Sequence, residues 1–385
     1  MVGSGGDAHL TQPEMDAVEC ANGRTIYVSL EDARGRELEA HLGVPYPNSL
    51  KLWELALQLM DEWDLVLDVG SNYGEMLAGL RGLSATRVIA FEPNPLILPC
   101  LRATLTELPW QVELAEVAVG ASTADTVFLD VDVEWSGVTH IAEPDSREDP
   151  PSASRVPVRL VSLDSVCTPY PRTVCMKIDV EGYELRALAG ARNLLSSADY
   201  AVVMLEILHM PVQDVLELAR RYPLYLLDIQ REELVRWDGA DGYQLGRALH
   251  SGQLYRQDAI LLAGARGADL DSQLRASRDS TMKREARVAA AAEAQRAETS
   301  GLQSALLSVR SELLSTVADK SMVERQRDVV TQNLAELQQQ YELLREDLRR
   351  SFSARSVLRV LDPSGELFRE ALVEFSRSLR HRSAE

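Results

Sequence analysis

Apolar residues recur at helical spacing through SLKLWELALQLMDEW (Ser49 to Trp63), with Asn48 and Ser49 as caps, and predict a helix. The apolar run LVLDV (Leu65 to Val69) follows, ends in glycine-rich GSNYG, and predicts a strand. Next come a helix from Glu75 to Leu83, a strand RVIAF (Arg87 to Phe91) stopped by Glu92, and a helix that opens at Asn94-Pro95 and runs through Leu108. Strand-like patterns cover Val112 to Val119, Thr126 to Val131, VPVRLVSLDSV and Thr173 to Val180. Helix-like GYELRALAGARNLLS, the apolar run Tyr200 to Ile207, a helix over Val212 to Tyr222 and the strands PLYLLDI and RQDAILLAG complete the pattern. Apolar strands alternating with helices predict an α/β fold, a mostly parallel sheet covered on both faces. For most of these apolar residues, core packing is the whole role. The polar, proline-containing segment Asp145 to Ser154 is predicted to be a surface loop between strands, suited to act as a lid.

After about residue 260 the pattern changes. Aromatic residues thin out, Ala, Gln, Arg, Glu and Leu take over, and a boundary is placed near Gly267. From Leu302 to Leu348 a heptad frame fits, with Leu302, Val309, Thr316, Val323, Val330, Leu337 and Leu344 on one seam position. Leu306, Leu313, Lys320, Arg327, Leu334, Tyr341 and Leu348 fill the other, and eleven of the fourteen are apolar, which predicts a coiled coil rather than a solvated single helix. Such a helix would be ~70 Å long, too long to pack on one catalytic domain. A parallel homo-oligomer is expected, with Lys320 and Arg327 setting register or oligomer state; pairing with another protein is the alternative. Beyond it, Phe368, Leu372, Phe375 and Leu379 form an apolar stripe among arginines, after the helix-breaking Pro363 and Gly365. That basic amphipathic end suits packing within the oligomer, docking on an assembly partner or lying on an anionic membrane.

Charge sharpens the partition. The 385 residues carry 59 acidic and 40 basic side chains, a net of −19. Residues 1–267 hold 40 acids against 21 bases, whereas residues 268–385 hold 19 of each, so the imbalance belongs to the first block. An acidic catalytic block lacks the Lys/Arg excess that neutralises phosphates, which argues against nucleic acid as partner. The expected organisation is a flexible tail over 1–20, a catalytic domain over 21–267, a helical coiled coil over 268–350 and a basic amphipathic region over 351–385. Cys20, Cys100, Cys167 and Cys175 are dispersed, with neither metal-ligand spacing nor a disulfide framework, and fit a reducing cytoplasm. No apolar run approaches the ~20 residues of a membrane span, so the expected location is cytoplasmic, with the inner face of the membrane open to the basic end.

The chemistry begins at Asp68-Val-Gly70-Ser-Asn-Tyr-Gly74, at the carboxyl end of the first core strand, where open α/β sheets bind ligands. Glycines there permit close approach and positive φ. Glu92, 22 residues beyond Gly70 at the end of the next strand, can accept two ribose hydroxyls. Strand, glycine turn, helix, strand and acid in this order describe an adenosine site; alone, the glycine pattern is as readily a tight turn. Asn72 and Glu75 disfavour a pyrophosphate, since one replaces the expected glycine and the other is an acid where the phosphate would sit. A cationic adenosine ligand, S-adenosylmethionine, fits instead.

With these segments in order, the sequence resembles the FkbM-type S-adenosylmethionine-dependent methyltransferases, a class I methyltransferase family. The matching stretches are VLDVGSNYG, AFEPNP, VAVG, LVSLDSV, MKIDVEGYELRALAGA and VVMLEI, across roughly residues 65 to 210. KIDVEGYE with its L-x-G-A helix is the most specific of them, and LRATLTEL departs by lacking an Asn expected in that region. The resemblance implies a Rossmann-like seven-stranded sheet with helices on both faces. It also implies a cofactor set of Asp68, Gly70, Ser71, Asn72, Tyr73, Gly74, Glu92, Asn94, Glu116, Ala118 and Asp179, with Glu92 on the ribose and Glu116 to Val119 beside the adenine. The implied reaction is O-methylation of a hydroxyl on a sugar or a natural product.

Methyl transfer needs an aligned oxygen nucleophile and a base for its proton. Asp179 and Glu181 stand at one predicted strand end, Glu206 and His209 at its neighbour. His209 is the preferred base because imidazole titrates near neutrality, against an equal reading in which it only bonds to backbone. Asp179 and Glu206 form an alternative divalent-cation (Mg²⁺) site, or one of them orients cofactor or substrate; Glu181 serves alternatively to cap the next helix. Asp149-Pro-Pro-Ser152 lacks the stacking aromatic of DNA amino-methyltransferases. The expected protein is a coiled-coil-tethered O-methyltransferase acting on a glycan hydroxyl. A macrolide or its sugar is the alternative acceptor, and a non-catalytic scaffold the alternative function. A groove lined by Trp135, acids and amides would mark the glycan reading; an apolar pocket would mark the natural product.

Overall fold

The computed structural model describes residues 14–132, 134–141, 153–239, 241–317, 332–340, 342–343 and 346. The chain divides into two units, 1–275 and 276–385. The first unit opens with β1 (Asp16–Glu19) and β2 (Thr25–Val28), an antiparallel pair within the stretch expected to begin as a tail. Then follow α1 (Ala33–Ala40), capped by Asp32, and α2 (Pro47–Leu57). Pro47 occupies the first turn of α2, where its fixed φ suits helix entry, so Asn48 and Ser49 lie inside the helix instead of capping it. Helix α2 also ends before Trp63, which belongs to β3 (Trp63–Val69).

Further along are α3 (Glu75–Gly79), β4 (Ala85–Phe91), α4 (Leu98–Thr106), β5 (Glu113–Ala115), β6 (Ala118–Val119), β7 (Ala124–Asp132) and β8 (His140–Ile141). They lead to β9 (Ala153–Val161), α5 (Leu163–Val166), β10 (Thr173–Ile178), α6 (Glu184–Ala189), α7 (Arg192–Ser197) and β11 (Tyr200–Glu206). The last elements are α8 (Val212–Arg221), β12 (Leu224–Asp228), β13 (Glu233–Arg236), α9 (Gly242–His250), β14 (Asp258–Ala263) and α10 (Gly267–Val317).

The main sheet has the order β13-β12-β14-β11-β10-β3-β4-β5. Its β5-β4-β3-β10-β11 portion is parallel, and β14, β12 and β13 add antiparallel pairings. The expected count of seven becomes eight because β12 turns back at Asp228 into β13, a short edge hairpin with no apolar run to announce it. The expected single strand over 112–119 is two strands in different sheets: β5 pairs β4, while β6 joins a second sheet of order β6-β9-β7-β8.

Alternation along the central strands sorts two cores. Leu65, Leu67, Val69, Met176, Ile178, Val203 and Leu205 pack on one face with α6, α7 and α8; Val66, Ala90, Cys175, Val202 and Met204 pack on the other with Trp53 and Leu52 of α2. On that second face the period-2 series continues past the apolar residues into polar ones: Asp68, Glu92, Lys177, Glu206 and Asp258. Every one of them is buried and lies at the same edge of the sheet, because β14 runs antiparallel and its start meets the end of β11. All four cysteines are buried free thiols. Among the described residues, no helix is long and apolar enough to cross a membrane.

Helix α10 anchors its first turns through Leu270 and Leu274 in the α2-side core. Within the second unit, residues 276–317 continue α10, and helix is also described over 332–340. Seam positions Leu302, Leu306, Val309, Leu334 and Leu337 are half-buried. Seam positions Val323, Val330, Tyr341, Leu344 and Leu348, the interruptions Lys320 and Arg327, the basic end, the 145–152 portion of the predicted lid loop and the 1–13 tail fall outside the described residues.

Leu67 is fully buried in β3, whereas Arg87 and Glu113 pair across the exposed edge of β4 and β5 at 2.7 Å. Leu67→Ala is expected to destabilise the first unit by about 2–5 kcal/mol and Arg87→Ala by no more than about 1 kcal/mol. Urea unfolding followed by tryptophan fluorescence measures both, since all five tryptophans lie before residue 276.

Candidate functional site

Strand order reverses between β3 and β10, the chain having left β3 toward β4 and β5 before returning to β10. At this switch point, where ligands bind in open α/β sheets, a cavity of about 370 Å³ opens over the polar edge of the second face.

Its floor is a close approach of two turns. Gly70 has φ +83, and a Cβ there would lie 1.8 Å from the Asp179 carbonyl oxygen, so only glycine lets the β3 and β10 turns meet. Asn72 and Glu181 also hold left-handed φ, +48 and +52. Beneath them Lys177, 4 % exposed, sends Nζ to the Gly70 carbonyl at 3.1 Å, to Asp179 Oδ2 at 3.2 Å and to Asp68 Oδ1 at 3.6 Å. Burial works against the ammonium, but the Asp179 and Asp68 charges outweigh it and raise its pKa. Burial pushes Asp68 up to about 6, with Lys177 opposing. Asp68 is fully buried and sits behind the cavity wall.

Glu92 faces the cavity with each oxygen taking one backbone N–H, Oε2 from Asn72 and Oε1 from Asn94, both at 2.8 Å. Burial raises it to about 7 against those two donors. Each carboxylate oxygen keeps a second acceptor site for a ligand hydroxyl. Val117, Ala118, Val119 and Ile141 give an apolar wall beside it.

Of the residues expected to hold the cofactor, Gly70, Asn72, Glu92, Ala118 and Asp179 line the cavity. The others act from outside it. Ser71 donates its hydroxyl to the Asp68 carbonyl at 2.8 Å, Tyr73 donates to Asp32 at 2.7 Å, and Gly74 is the left-handed residue before α3. Asn94 is buried, its Oδ1 accepting the Leu96 N–H at 3.1 Å. Glu116 turns away to Arg102 at 2.5 Å, because it lies in the link between β5 and β6, where the strand is broken and alternation no longer sets which way a side chain points.

All four residues expected to do chemistry line the cavity: His209, Asp179, Glu206 and Glu181. His209 is exposed at the turn after β11. Glu181 does not cap α6, which has no side-chain cap; Glu184, its first residue, ties down the preceding turn, one oxygen accepting the Val180 and Gly182 N–H groups at 3.1 and 2.9 Å. Burial, then the Asp179 and Glu184 charges, push Glu181 up to about 8. Burial, then Asp179, Glu181, Glu184 and Asp258, push Glu206 up to about 9. Asp258, the register partner of Glu206, rises to about 7 through burial and Asp179, although Ser49 donates to its Oδ2 at 2.5 Å. Among the described residues, no group of three His, Cys, Asp or Glu side chains is arranged to hold a metal ion, so the Asp179 and Glu206 pair lacks a third ligand of these types.

Sequence reasoning passed over Lys177, Asp258, Arg34 and Ser49. Lys177 was legible as the one charge inside the apolar strand TVCMKI, and Asp258 as the acid that opens DAILLA. Arg34, bonded to Glu75 at 2.6 Å and Glu37 at 2.9 Å and lying 4.9 Å over the Tyr46 ring, comes from α1 and carried no local signal.

Two outcomes follow. Lys177→Met leaves Asp68 buried without its cation and is expected to cost about 3–5 kcal/mol, measured by urea unfolding. Because Glu206 is raised from 4.5 in the unfolded chain to about 9 in the folded one, the folded state holds its proton more tightly. That stability is fully present below pH 4.5 and is lost as pH rises toward 9. Calorimetry at pH 6 and pH 9 should show a drop in Tm that Glu206→Gln makes smaller.

A curated relative, the hexuronic acid methyltransferase AglP of Haloferax volcanii, is 28 % identical over 151 residues, which are 39 % of this chain and 59 % of that protein. The chain thus spans about three fifths of the length of the curated relative it matches. Among solved structures, an rRNA methylase from Streptococcus thermophilus aligns at 12 % identity and TM-score 0.28, covering 55 % of this chain and 92 % of that one. A precorrin-6y C5,15-methyltransferase from Geobacter metallireducens aligns at 15 % identity and TM-score 0.30, covering 56 % and 86 %. Residues 68–231, which supply Gly70, Glu92, Asp179, Glu206 and His209, match the methyltransferase FkbM domain.

Proposed function

We propose that the chain O-methylates a sugar hydroxyl with S-adenosylmethionine. The observation that carries the reading is one cavity lined by two unlike sets of residues. One set is Gly70, Glu92 and the apolar Val117 to Val119; the other is Glu206, Asp258, Gln257 and Trp135.

The first set suits the cofactor: the spare acceptor sites of Glu92 match ribose hydroxyls, and the apolar wall matches a purine. When bound, S-adenosylmethionine supplies an electrophilic methyl group on a sulfonium. Gly70 keeps the backbone low enough to admit the ligand, and Lys177 fixes the two turns on which it rests.

The second set suits a sugar. Trp135, 47 % exposed, offers an indole face for the C–H side of a pyranose, while acids and the Gln257 amide offer partners for hydroxyls. Asp132 Oδ1 accepts the Trp135 N–H at 3.2 Å and holds the loop that presents it. The relative named for hexuronic acid methylation supports a sugar acceptor. His209 takes the acceptor proton, since Glu206, raised to about 9, keeps its own proton at neutral pH and is a poor base.

The helical segment is proposed to join copies of the chain through the seam that includes Leu302, Leu306, Val309, Leu334 and Leu337, and sedimentation of the full chain against a Leu306→Glu/Val309→Glu variant tests it.

His209→Ala is expected to lower turnover by about 10²–10⁴-fold with cofactor affinity unchanged, and Glu92→Ala to weaken cofactor binding roughly tenfold or more. Calorimetric titration of cofactor and transfer of labelled methyl to sugar glycosides separate the two. Unchanged turnover in the His209 variant removes it as base, and wild-type chain that binds no S-adenosylmethionine removes the reading.

A further inference from the structure

The cavity has a charge pattern that narrows the sugar. Its carboxylates beyond Glu92 and Glu75 come from three neighbouring strands: Asp179 and Glu181 after β10, Glu206 at the end of β11 and Asp258 at the start of β14. The cavity's two permanent cations among the described residues are both engaged, Arg34 with Glu75 and Glu37, and Lys177 with Asp179, Asp68 and the Gly70 carbonyl. His140 and His209 also face the space, and His209 must be neutral to accept a proton.

Glu206 is the clearest sign of a missing partner. It is 5 % exposed, it faces the cavity, and among the described residues its side chain has neither hydrogen bond nor ion pair. Its register partner, Asp258, is 3 % exposed and takes only the Ser49 hydroxyl through its side chain. Leaving an acid buried without a partner costs free energy, which a ligand of the right charge recovers.

Position decides which ligand. Adjacent strands lie ~4.8 Å apart, so in the order β3-β10-β11-β14 the ends of β11 and β14 stand roughly 10 and 14 Å across the sheet from the glycine turn. Glu206 and Asp258 are therefore on the acceptor side. We propose, resting on the reading of the site as a sugar O-methyltransferase, that the acceptor is an amino sugar whose protonated amine sits against Glu206 and Asp258 while a neighbouring hydroxyl is methylated. An ammonium brings three N–H donors and a positive charge to acceptors that lack a counter-ion. A uronic acid would add a fifth carboxylate to four. A neutral sugar would leave the negative field uncompensated. The burial and mutual repulsion that raise Glu181, Glu206 and Asp258 describe the same deficit, protons standing where a cation belongs.

The test uses the full-length chain and three probes of one shape: methyl glucosaminide, methyl glucoside and methyl glucuronide. Each is titrated into protein loaded with S-adenosylhomocysteine, and each is offered as acceptor for labelled methyl from S-adenosylmethionine. The glucosaminide is expected to bind roughly tenfold or more tighter than the glucoside, and the glucuronide weakest. Glu206→Gln, which imitates the protonated acid and keeps its shape, should erase most of the glucosaminide advantage and raise its KM, with affinities for S-adenosylmethionine and S-adenosylhomocysteine unchanged. Tightest binding of the glucuronide, or equal binding of all three, overturns the proposal. So does a Glu206→Gln variant that loses affinity for S-adenosylmethionine but not for the uncharged homocysteine form, because the acid would then serve the sulfonium. Binding ranks the probes without turnover; transfer to none of them with the cofactor still bound would count against sugar methylation while leaving the amine preference readable.

Discussion

A buried ammonium between two strand ends is the constraint on which this site depends. Lys177 and Asp68 are register partners on β10 and β3, and Asp179 follows two residues later. A lone lysine or aspartate at this depth would be neutral or would destabilise the fold. Together they hold the two turns in contact, and the Gly70 carbonyl takes a third bond from the same ammonium. The approach leaves no room for a Cβ at Gly70, so the charge triad and the glycine are one device: the first draws the turns together and the second permits it.

From that fixed edge the rest of the site follows by alternation. One face of the sheet is apolar for most of its width and turns polar at a single edge, where Asp68, Glu92, Lys177, Glu206 and Asp258 extend the same period-2 rows that carry Val66, Ala90, Cys175, Met204 and Ile260. A uniform sheet face thus becomes core at one end and chemistry at the other. Burial and crowding act on several carboxylates of the cluster together and make Glu181 and Glu206 hold their protons more tightly.

Much of this was legible in the chain. The runs at 65–69, 87–91, 173–178, 200–206 and 258–263 are strands because they are short, apolar and bounded by turns or acids, and Gly70, Glu92, Asp179, Glu206 and His209 stood out as residues at their ends. What failed did so where local pattern is weak. The edge strand β13 has only half-buried residues, the break between β5 and β6 lies inside one apolar-looking stretch, and Glu116 follows that break outward to Arg102. Glu181 resembled a helix cap, but α6 begins three residues later without a side-chain cap, and the carboxylate that bonds the turn is that of Glu184.

The sequence by itself determined the alternation of apolar strands and helices, the glycine turn, the acid 22 residues after it and the partition of charge, because each depends on residues near one another in the chain. Tertiary structure alone decided that Lys177 lies under Gly70, that Asp258 faces Glu206 and that Ser49, more than two hundred residues away, donates to Asp258. Those pairings come from strand order and register, which bring distant segments to one edge of a sheet. No local periodicity encodes them, since a residue's face repeats along its own strand while its neighbours are set by how the whole chain is wound.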